Sequence, residues 1–123
     1  MNTTNEPRFD WSQAASLLGD DPSQVADDMA EIVRELVESA DAQFMELKAK
    51  NIETERKEIA SLTHQLRGCL LNFGFDEVGS MLLHIEKADY PSSDYPDLID
   101  KALVAFVASK KMLGTRYPTI GVS

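Results

Sequence analysis

The sequence has very little of several features on which whole classes of proteins depend. Cys69 is the only cysteine among 123 residues, so no intrachain disulfide can form. No apolar run approaches the ~20 residues that span a bilayer. The first residues, MNTTNEPRFDW, contain neither the basic nor the apolar segment of a signal peptide. These absences predict a cytoplasmic protein that does not interact with membranes.

Basic residues are scarce in residues 1–47, and this segment carries all of the net negative charge of the chain. The formal net charge is −9, and residues 1–47 hold eleven acids against Arg8 and Arg34. Residues 48–123 balance, with ten acids and ten bases. A nucleic-acid-binding protein needs a basic face to neutralise phosphates, so this distribution argues against a DNA or RNA ligand. It does not favour any particular partner, because acidic surfaces commonly serve solubility.

Motifs for enzyme chemistry are also missing. The sequence has no P-loop, GxGxxG, CxxC or HExxH pattern, and its two histidines, His64 and His84, lie on different predicted helices without carboxylates in register. We therefore predict a protein that is not an enzyme and that binds neither a metal nor a cofactor. Cys69 lies at the edge of an apolar helix face and is predicted to be buried as a small hydrophobic residue. His84 is predicted to be an ordinary surface residue.

The sequence does contain amphipathic segments in which apolar residues recur at three- and four-residue spacing. The predicted elements are a short helix from an Asp10 cap to Gly19, a long helix from Asp21-Pro22 to near Lys48–Asn51, a central helix from about Ile52 or Thr54 to Phe73, a fourth helix from Phe75 to about Tyr90 and a last helix from Pro96 to about Leu113. Helices joined by short turns run antiparallel to their neighbours. The predicted fold is all-α, an up-down antiparallel four-helix bundle with a short additional N-terminal helix. The predicted boundaries are a disordered lead (1–8), one domain (9–115) and a C-terminal tail (116–123).

One histidine of the central helix has unusual surroundings. His64 lies opposite the apolar face of its helix, and its side also carries Ala60, Gly68 and Leu71, where a solvated helix normally has charged residues. Gly68 costs a helix interior about 1 kcal/mol relative to alanine, and it leaves one side of the imidazole open to another protein. Ala60 and Leu71 form a flat apolar patch suited to docking, and Lys57 adds a cation.

The chemistry of a neutral imidazole suggests a use for this exposed histidine. One ring nitrogen of His64 has a free lone pair that can attack phosphorus. Arg67, one turn later, can donate hydrogen bonds to a negative group on the ring. If the chain reverses near Phe75, Glu86 lies level with His64 and can hold the other ring nitrogen. The alternatives are a solvated surface histidine and a solvated glutamate.

The residues from Ala60 to Phe75 resemble the histidine-containing phosphotransfer (Hpt) domain. Its motif is His-x-Leu-Lys-Gly followed by small residues and a glycine; here the motif is His64-Gln65-Leu66-Arg67-Gly68, with Asn72 and Gly74 in place. The segment GDDPSQVADDM (Gly19–Met29) is similar to the start of the family's first long helix, and Ile85-Glu86 is similar to its Leu-Glu pair. The resemblance covers most of residues 9–113.

The resemblance implies a phosphocarrier in a multistep two-component phosphorelay. His64 would accept a phosphoryl group from a response-regulator aspartate and pass it to another, Arg67 would steady the phosphate, and Gly68 would admit the regulator. The partners would be receiver domains of response regulators and a hybrid sensor histidine kinase. The carrier would be a monomer without a cofactor, since Mg²⁺ belongs to the receiver's aspartyl site.

The sequence departs from the family pattern at two places. Arg67 replaces the usual lysine, which keeps the charge but changes the donor geometry. Cys69 and Leu70-Leu71 replace a run of small residues, so the site is more apolar and more crowded. Three other functions remain open: a docking module that binds receiver domains without phosphorylation, a fragment of a chemotaxis-type kinase, and a helical adaptor whose acidic first helices bind a basic partner.

Overall fold

The structure is a computed structural model that describes residues 6–122. Within this range the chain forms five α-helices and two single-turn 3₁₀ helices, and it has no strand. The α-helices are α1 (Trp11–Leu18), α2 (Asp27–Ala49), α3 (Arg56–Asn72), α4 (Asp76–Lys87) and α5 (Tyr95–Arg116); the 3₁₀ helices are Ser92–Asp94 and Pro118–Ile120. The prediction of an all-α chain is confirmed. Across the described residues, no helix is both long enough and apolar enough to cross a membrane.

The first helix begins and ends where its capping residues predict. The carboxylate of Asp10 accepts a hydrogen bond from the Gln13 N–H at 3.1 Å, so it satisfies a donor that the first turn leaves free. Gly19 ends the helix with φ +92°, in the region that glycine adopts without strain.

The second helix begins five residues later than the predicted Asp21-Pro22 start, so that prediction was wrong. The carboxylate of Asp21 accepts hydrogen bonds from the Ser23 N–H at 3.0 Å and from its hydroxyl at 2.7 Å. These two bonds lower the pKa of the Asp21 carboxyl. They close a local turn that competes with helix formation. The backbone is extended again at Ala26, and α2 starts at Asp27.

The central helix also starts later than predicted, and it stops where predicted. Asn51 and Glu55 bracket a turn in which the Asn51 side chain accepts from the Glu53 N–H at 2.8 Å, so α3 starts at Arg56. Gly74 follows the end of α3 with φ +96°. A Cβ at this position would lie 2.8 Å from the Phe9 ring, so both the backbone conformation and the available space require glycine.

Helices α2 to α5 surround one apolar core, in which α2 and α4 each pack against both α3 and α5. The rings of Phe44 and Phe106 have centroids 5.3 Å apart, and those of Phe75 and Phe106 are 5.6 Å apart. The hydroxyl of Tyr95 donates to the Leu47 carbonyl at 2.6 Å, which joins the start of α5 to the end of α2. These two helices therefore run antiparallel, and α3 and α5 lie on opposite sides of the core.

Both ends of the described chain are more ordered than predicted. Residues 1–5 of the predicted disordered lead lie outside the described range, but Pro7 is buried and Arg8 pairs with Asp76 at 3.1 Å. At the other end Tyr117 and Ile120 are buried, although residues 116–123 were predicted to be a tail. Burying apolar side chains stabilises the fold in proportion to the area removed from water. The turn that contains Ile120 packs against α2 and α5 and so covers apolar surface there.

Candidate functional site

The site is built on the outer side of α3, which is anchored from the opposite side. Ile59, Leu66 and Leu70 are buried in the core. Thr63 is fully buried as well, and its hydroxyl donates to the Ile59 carbonyl at 2.8 Å, so it leaves no polar group unsatisfied. His64 follows on the outer side with 65% of its side chain exposed. The core contacts thus hold the helix while the imidazole remains open to a partner.

Glu86 of α4 holds one nitrogen of the His64 ring. The α3–α4 hairpin reverses at Gly74 and brings Glu86 Oε2 to 3.1 Å from His64 Nδ1. An ionised carboxylate can only accept hydrogen bonds, so Nδ1 must carry the proton that is shared in this contact. In the neutral ring the lone pair then belongs to Nε2. The pair therefore selects a single nitrogen as the nucleophile.

Arg67 lies against the same carboxylate. Its Nη2 is 3.4 Å from Glu86 Oε1 and also 3.4 Å from His64 Nδ1. A protonated Nδ1 cannot accept from a guanidinium, and the carboxylate contact of that nitrogen is shorter, so we interpret the Arg67–His64 approach as proximity alone. Arg67 is only 22% exposed, and its buried Nε has no hydrogen-bond partner within residues 6–122. The guanidinium is therefore held between the two helices by Glu86.

Gly68 provides open space beside the histidine. Apart from its chain neighbours and the backbone of its own helix, no heavy atom lies within 4 Å of the position that a Cβ would occupy there, so core packing does not demand a glycine. Lys57 is exposed and Ala60 is half-buried on the same side of α3, where the predicted docking patch places them. We call the exposed surface formed by Lys57, Ala60, His64 and Gly68 the α3 face.

Leu71 was predicted to extend this patch, and in the structure it also contacts the neighbouring helix. It is half-buried and packs against Gly79 of α4. A Cβ on Gly79 would lie 2.9 Å from Leu71 Cγ, so the glycine makes room for this contact between helices. Leu71 therefore stabilises the α3–α4 hairpin that places Glu86 beside His64.

Cys69 was predicted to be buried, and this prediction was wrong, because its thiol is exposed. The buried positions of α3 are Ile59, Thr63, Leu66 and Leu70, and Cys69 lies just outside their stripe at an edge that no neighbouring helix covers. His84 is exposed as predicted, and its ring lies 5.4 Å from that of Tyr90.

The Arg67–Glu86 contact was missed from the sequence, although a signal for it was present. In an antiparallel hairpin that reverses near Phe75, Glu86 is within one turn of the level of Arg67 as well as level with His64. Arg67 was predicted to contact the phosphate alone, whereas in the structure a carboxylate already lies within its reach.

Comparison of the chain with protein-family models, with curated proteins and with solved structures finds no match. The described residues also contain no group of three or more histidine, cysteine, aspartate or glutamate side chains placed to hold a metal ion. Any functional assignment therefore depends on the geometry around His64.

Proposed function

We propose that this chain is a histidine phosphotransfer protein of a multistep two-component phosphorelay. The observation that supports this most strongly is the exposed His64 ring, whose Nδ1 lies 3.1 Å from Glu86 while open space adjoins it at Gly68. The arrangement leaves Nε2 with a lone pair and leaves a partner room to approach it. The Hpt-like motif from His64 to Gly68 agrees with this function.

The phosphoryl transfer needs no general base, because the attacking nitrogen already has a free lone pair. The lone pair of His64 Nε2 attacks the phosphorus of a receiver aspartyl phosphate, the P–N bond forms, and the bond between phosphorus and the aspartyl oxygen breaks. The aspartate leaves as a carboxylate, and its own site supplies the Mg²⁺ that neutralises the developing charge. The Nδ1 proton stays on the ring, where the Glu86 carboxylate stabilises the positive charge that the ring gains. Transfer to a second receiver is the reverse reaction.

Arg67 would stabilise the phosphorylated state. Its guanidinium Nη2 lies 3.4 Å from His64 Nδ1, and its 3.4 Å contact with Glu86 is long for a charged hydrogen bond. The phosphoryl oxygens would compete for these donors, so Arg67 would move from the carboxylate toward the phosphate. Charge-assisted bonds of this kind contribute about 1.5–3 kcal/mol.

The proposed fold and partners follow from the same site. Helices α2 to α5 would form the up-down antiparallel four-helix bundle of the Hpt domain, with α1 as the additional N-terminal helix. The α3 face would dock receiver domains, and a hybrid sensor histidine kinase would supply the phosphoryl group. The protein would act in the cytoplasm as a carrier without a nucleotide site, cofactor or metal of its own.

Phosphotransfer from receiver domains tests the proposal directly. Response regulators of the source genome are phosphorylated with a radiolabelled small-molecule donor and mixed with the wild type, His64→Gln or His84→Gln. We expect acid-labile, alkali-stable label on the wild type and on His84→Gln, and none on His64→Gln. The His84 variant is the matched control because that histidine is also exposed.

The other outcomes discriminate among the remaining functions. Label that survives His64→Gln would show that another residue is the acceptor. Receiver binding without any label on the wild type would overturn the carrier function in favour of a docking module. If no regulator binds or transfers label, the phosphorelay proposal is wrong.

A further inference from the structure

The outer face of α5 carries the most exposed large apolar side chain that the described residues present. Val104 is 69% exposed and Val107 is 48% exposed, one turn apart on the side of α5 that faces away from the core. Isolated apolar side chains at a surface need no explanation, but an adjacent pair on one helix face can mark a contact site.

These two valines lie in the middle of a regular stripe. Asp97, Asp100, Val104, Val107 and Lys111 follow one another at spacings of three and four residues, which is the repeat of a coiled-coil seam. All five residues are exposed. We call them the α5 seam. Its acids precede the valines and its lysine follows them. Asp97 contacts Lys101 at 3.2 Å and Asp100 contacts Lys48 at 3.1 Å within the chain, but such exposed ion pairs contribute little to stability, so both acids can exchange their partners.

This charge order makes the seam complementary to itself. If two copies of α5 cross antiparallel about a two-fold axis between Val104 and Val107, Asp100 of each copy lies opposite Lys111 of the other. Val104 then lies opposite the second copy's Val107. A parallel crossing would bring aspartate against aspartate and lysine against lysine, which is unfavourable. Two-fold contacts that use the same patch on both chains are the commonest form of association among identical chains.

A hollow beside the α5 seam is shaped to accept an apolar side chain from a second copy. A largely apolar hollow between α4 and α5 is lined by Pro7, Met81, Val104, Ala105 and Ala108, with charged residues Glu77, Asp100 and Lys101 also in its lining. The small side chains of Ala105 and Ala108 leave a groove next to the ridge that Val104 forms. A ridge from a second helix packs into such a groove at a small crossing angle. The second copy's Val107 would occupy this hollow.

We propose that this chain forms a two-fold dimer through antiparallel contact of its α5 seams. The occupant of the seam is a second copy, since its acid–apolar–base order matches itself, whereas a uniformly charged partner would be repelled at one end. Helices α3 and α5 lie on opposite sides of the core, so each copy keeps its α3 face free. The dimer therefore differs from the monomer that the family resemblance implies, and it does not depend on phosphotransfer.

Sedimentation analysis over a range of concentrations tests for the dimer. The wild type is expected to shift from the mass of one chain toward that of two at concentrations up to about 1 mM, as suits a small interface. Val104→Glu combined with Val107→Glu is expected to remain a monomer throughout. Met45→Glu is the matched control, because Met45 is 57% exposed on α2 and lies outside the seam, so this variant should dimerise normally.

Charge reversal tests the antiparallel order itself. Asp100→Lys gives a seam with cations at both ends, and Lys111→Asp gives one with acids at both ends. Each variant alone is expected to dimerise less than the wild type, and an equimolar mixture of the two should form a heterodimer. Circular dichroism checks that both variants remain folded.

Three results would overturn the proposal. The first is a wild type that stays monomeric at every concentration, and the second is a dimer that survives the double valine substitution. The third is a mixture of the two charge variants that associates no better than either one alone.

Discussion

At the scale of single residues, Glu86 gives His64 its chemical character. A free imidazole exchanges its proton between two nitrogens, whereas a ring held at Nδ1 presents Nε2 alone. The carboxylate is 25% exposed and lies 3.1 Å from the ring, so water competes with it only partly. The same carboxylate holds Arg67 close to the position where a phosphoryl group would be carried.

Replacing Glu86 should weaken this control. We expect Glu86→Ala to lower the rate of phosphotransfer to His64 by roughly 10–100-fold, by analogy with the loss when a carboxylate that orients a metal-bound histidine is removed. Glu86→Gln should lose less, because its amide oxygen can still accept from Nδ1. Nitrogen NMR of the ring should show a mixed tautomer in the alanine variant and mostly Nδ1–H in the wild type.

A control separates this effect from a general loss of negative charge. Glu53→Ala removes an exposed carboxylate far from the site and should leave the rate and the tautomer unchanged. An unchanged tautomer in Glu86→Ala would show that Glu86 does not position the ring.

Arg67 is expected to stabilise the phosphorylated form of His64 more than the unphosphorylated form. We expect Arg67→Ala to reduce the equilibrium yield of phosphorylated protein about tenfold, since one charge-assisted hydrogen bond of about 1.5 kcal/mol is lost. Arg67→Lys keeps the charge and should retain most of the yield. Partition of label between a receiver and each variant at equilibrium measures the effect, and equal yields for all three proteins would contradict it.

At the scale of elements, the α3–α4 hairpin carries glycines with opposite roles. Gly68 faces open space on α3, whereas Gly79 makes room for Leu71 where the two helices pack. The first glycine keeps the α3 face accessible to a partner, and the second lets the hairpin close. Substitutions at the two positions should therefore separate binding from folding.

We expect Gly68→Gln to raise stability slightly while it slows transfer steeply. Glutamine favours a helix interior over glycine by several tenths of a kcal/mol, and a Cβ at this position meets no neighbouring element. Gly79→Ala should instead destabilise the fold by about 1 kcal/mol or more, because its Cβ forces Leu71 to move. Thermal unfolding and transfer rates measured together check both expectations. Normal transfer in Gly68→Gln would show that partners do not approach past this residue.

The exposed Cys69 offers a direct probe of the α3 face. Since this thiol is at the surface, we expect a maleimide to modify it in the folded protein about as fast as in the unfolded chain. A bound receiver domain should slow the modification, because Cys69 adjoins Gly68. Full reactivity in a saturated complex would place the docking surface elsewhere.

At the scale of the whole molecule, distant parts of the chain are joined by buried or partly buried hydrogen bonds. The hydroxyl of Tyr95 donates to the Leu47 carbonyl at the end of α2. The side chain of Arg34 donates to the Ile120 carbonyl at 2.7 Å and ties the last turn of the chain to α2. Such bonds satisfy backbone groups that the helix ends would otherwise leave unpaired.

Tyr95 should make stability depend on alkaline pH. Desolvation, together with the nearby Tyr90 and Glu55, raises the pKa of the Tyr95 hydroxyl well above its ordinary value. The unfolded chain releases this proton at about pH 10 and the folded chain does not, so its stabilising contribution is present below pH 10 and falls as the pH rises further.

Replacing Tyr95 tests this pH dependence. Tyr95→Phe should cost about 1 kcal/mol at neutral pH, because the hydrogen bond is lost, and it should flatten the loss of stability above about pH 10. Denaturant unfolding at several pH values compares the two proteins. Parallel stability curves would contradict the prediction.

The sequence by itself determined the features that depend on neighbouring residues. Asp10 caps α1 and Gly74 ends α3 through contacts within a few residues. The helical periodicity is also local, and it determined that His64 faces outward. The position of Glu86 beside His64 followed from the same periodicity and from one reversal of the chain near Phe75.

The tertiary structure decided the features that depend on residues far apart in the chain. Arg67 met a carboxylate on α4, Cys69 was left uncovered, and Leu71 found room at Gly79. Tyr117 and Ile120 became core residues because helices α2 and α5 offered apolar surface there. Local sequence patterns contain no information on which distant part of the chain will cover a given side chain. Contacts between distant residues therefore decide which of these side chains are buried.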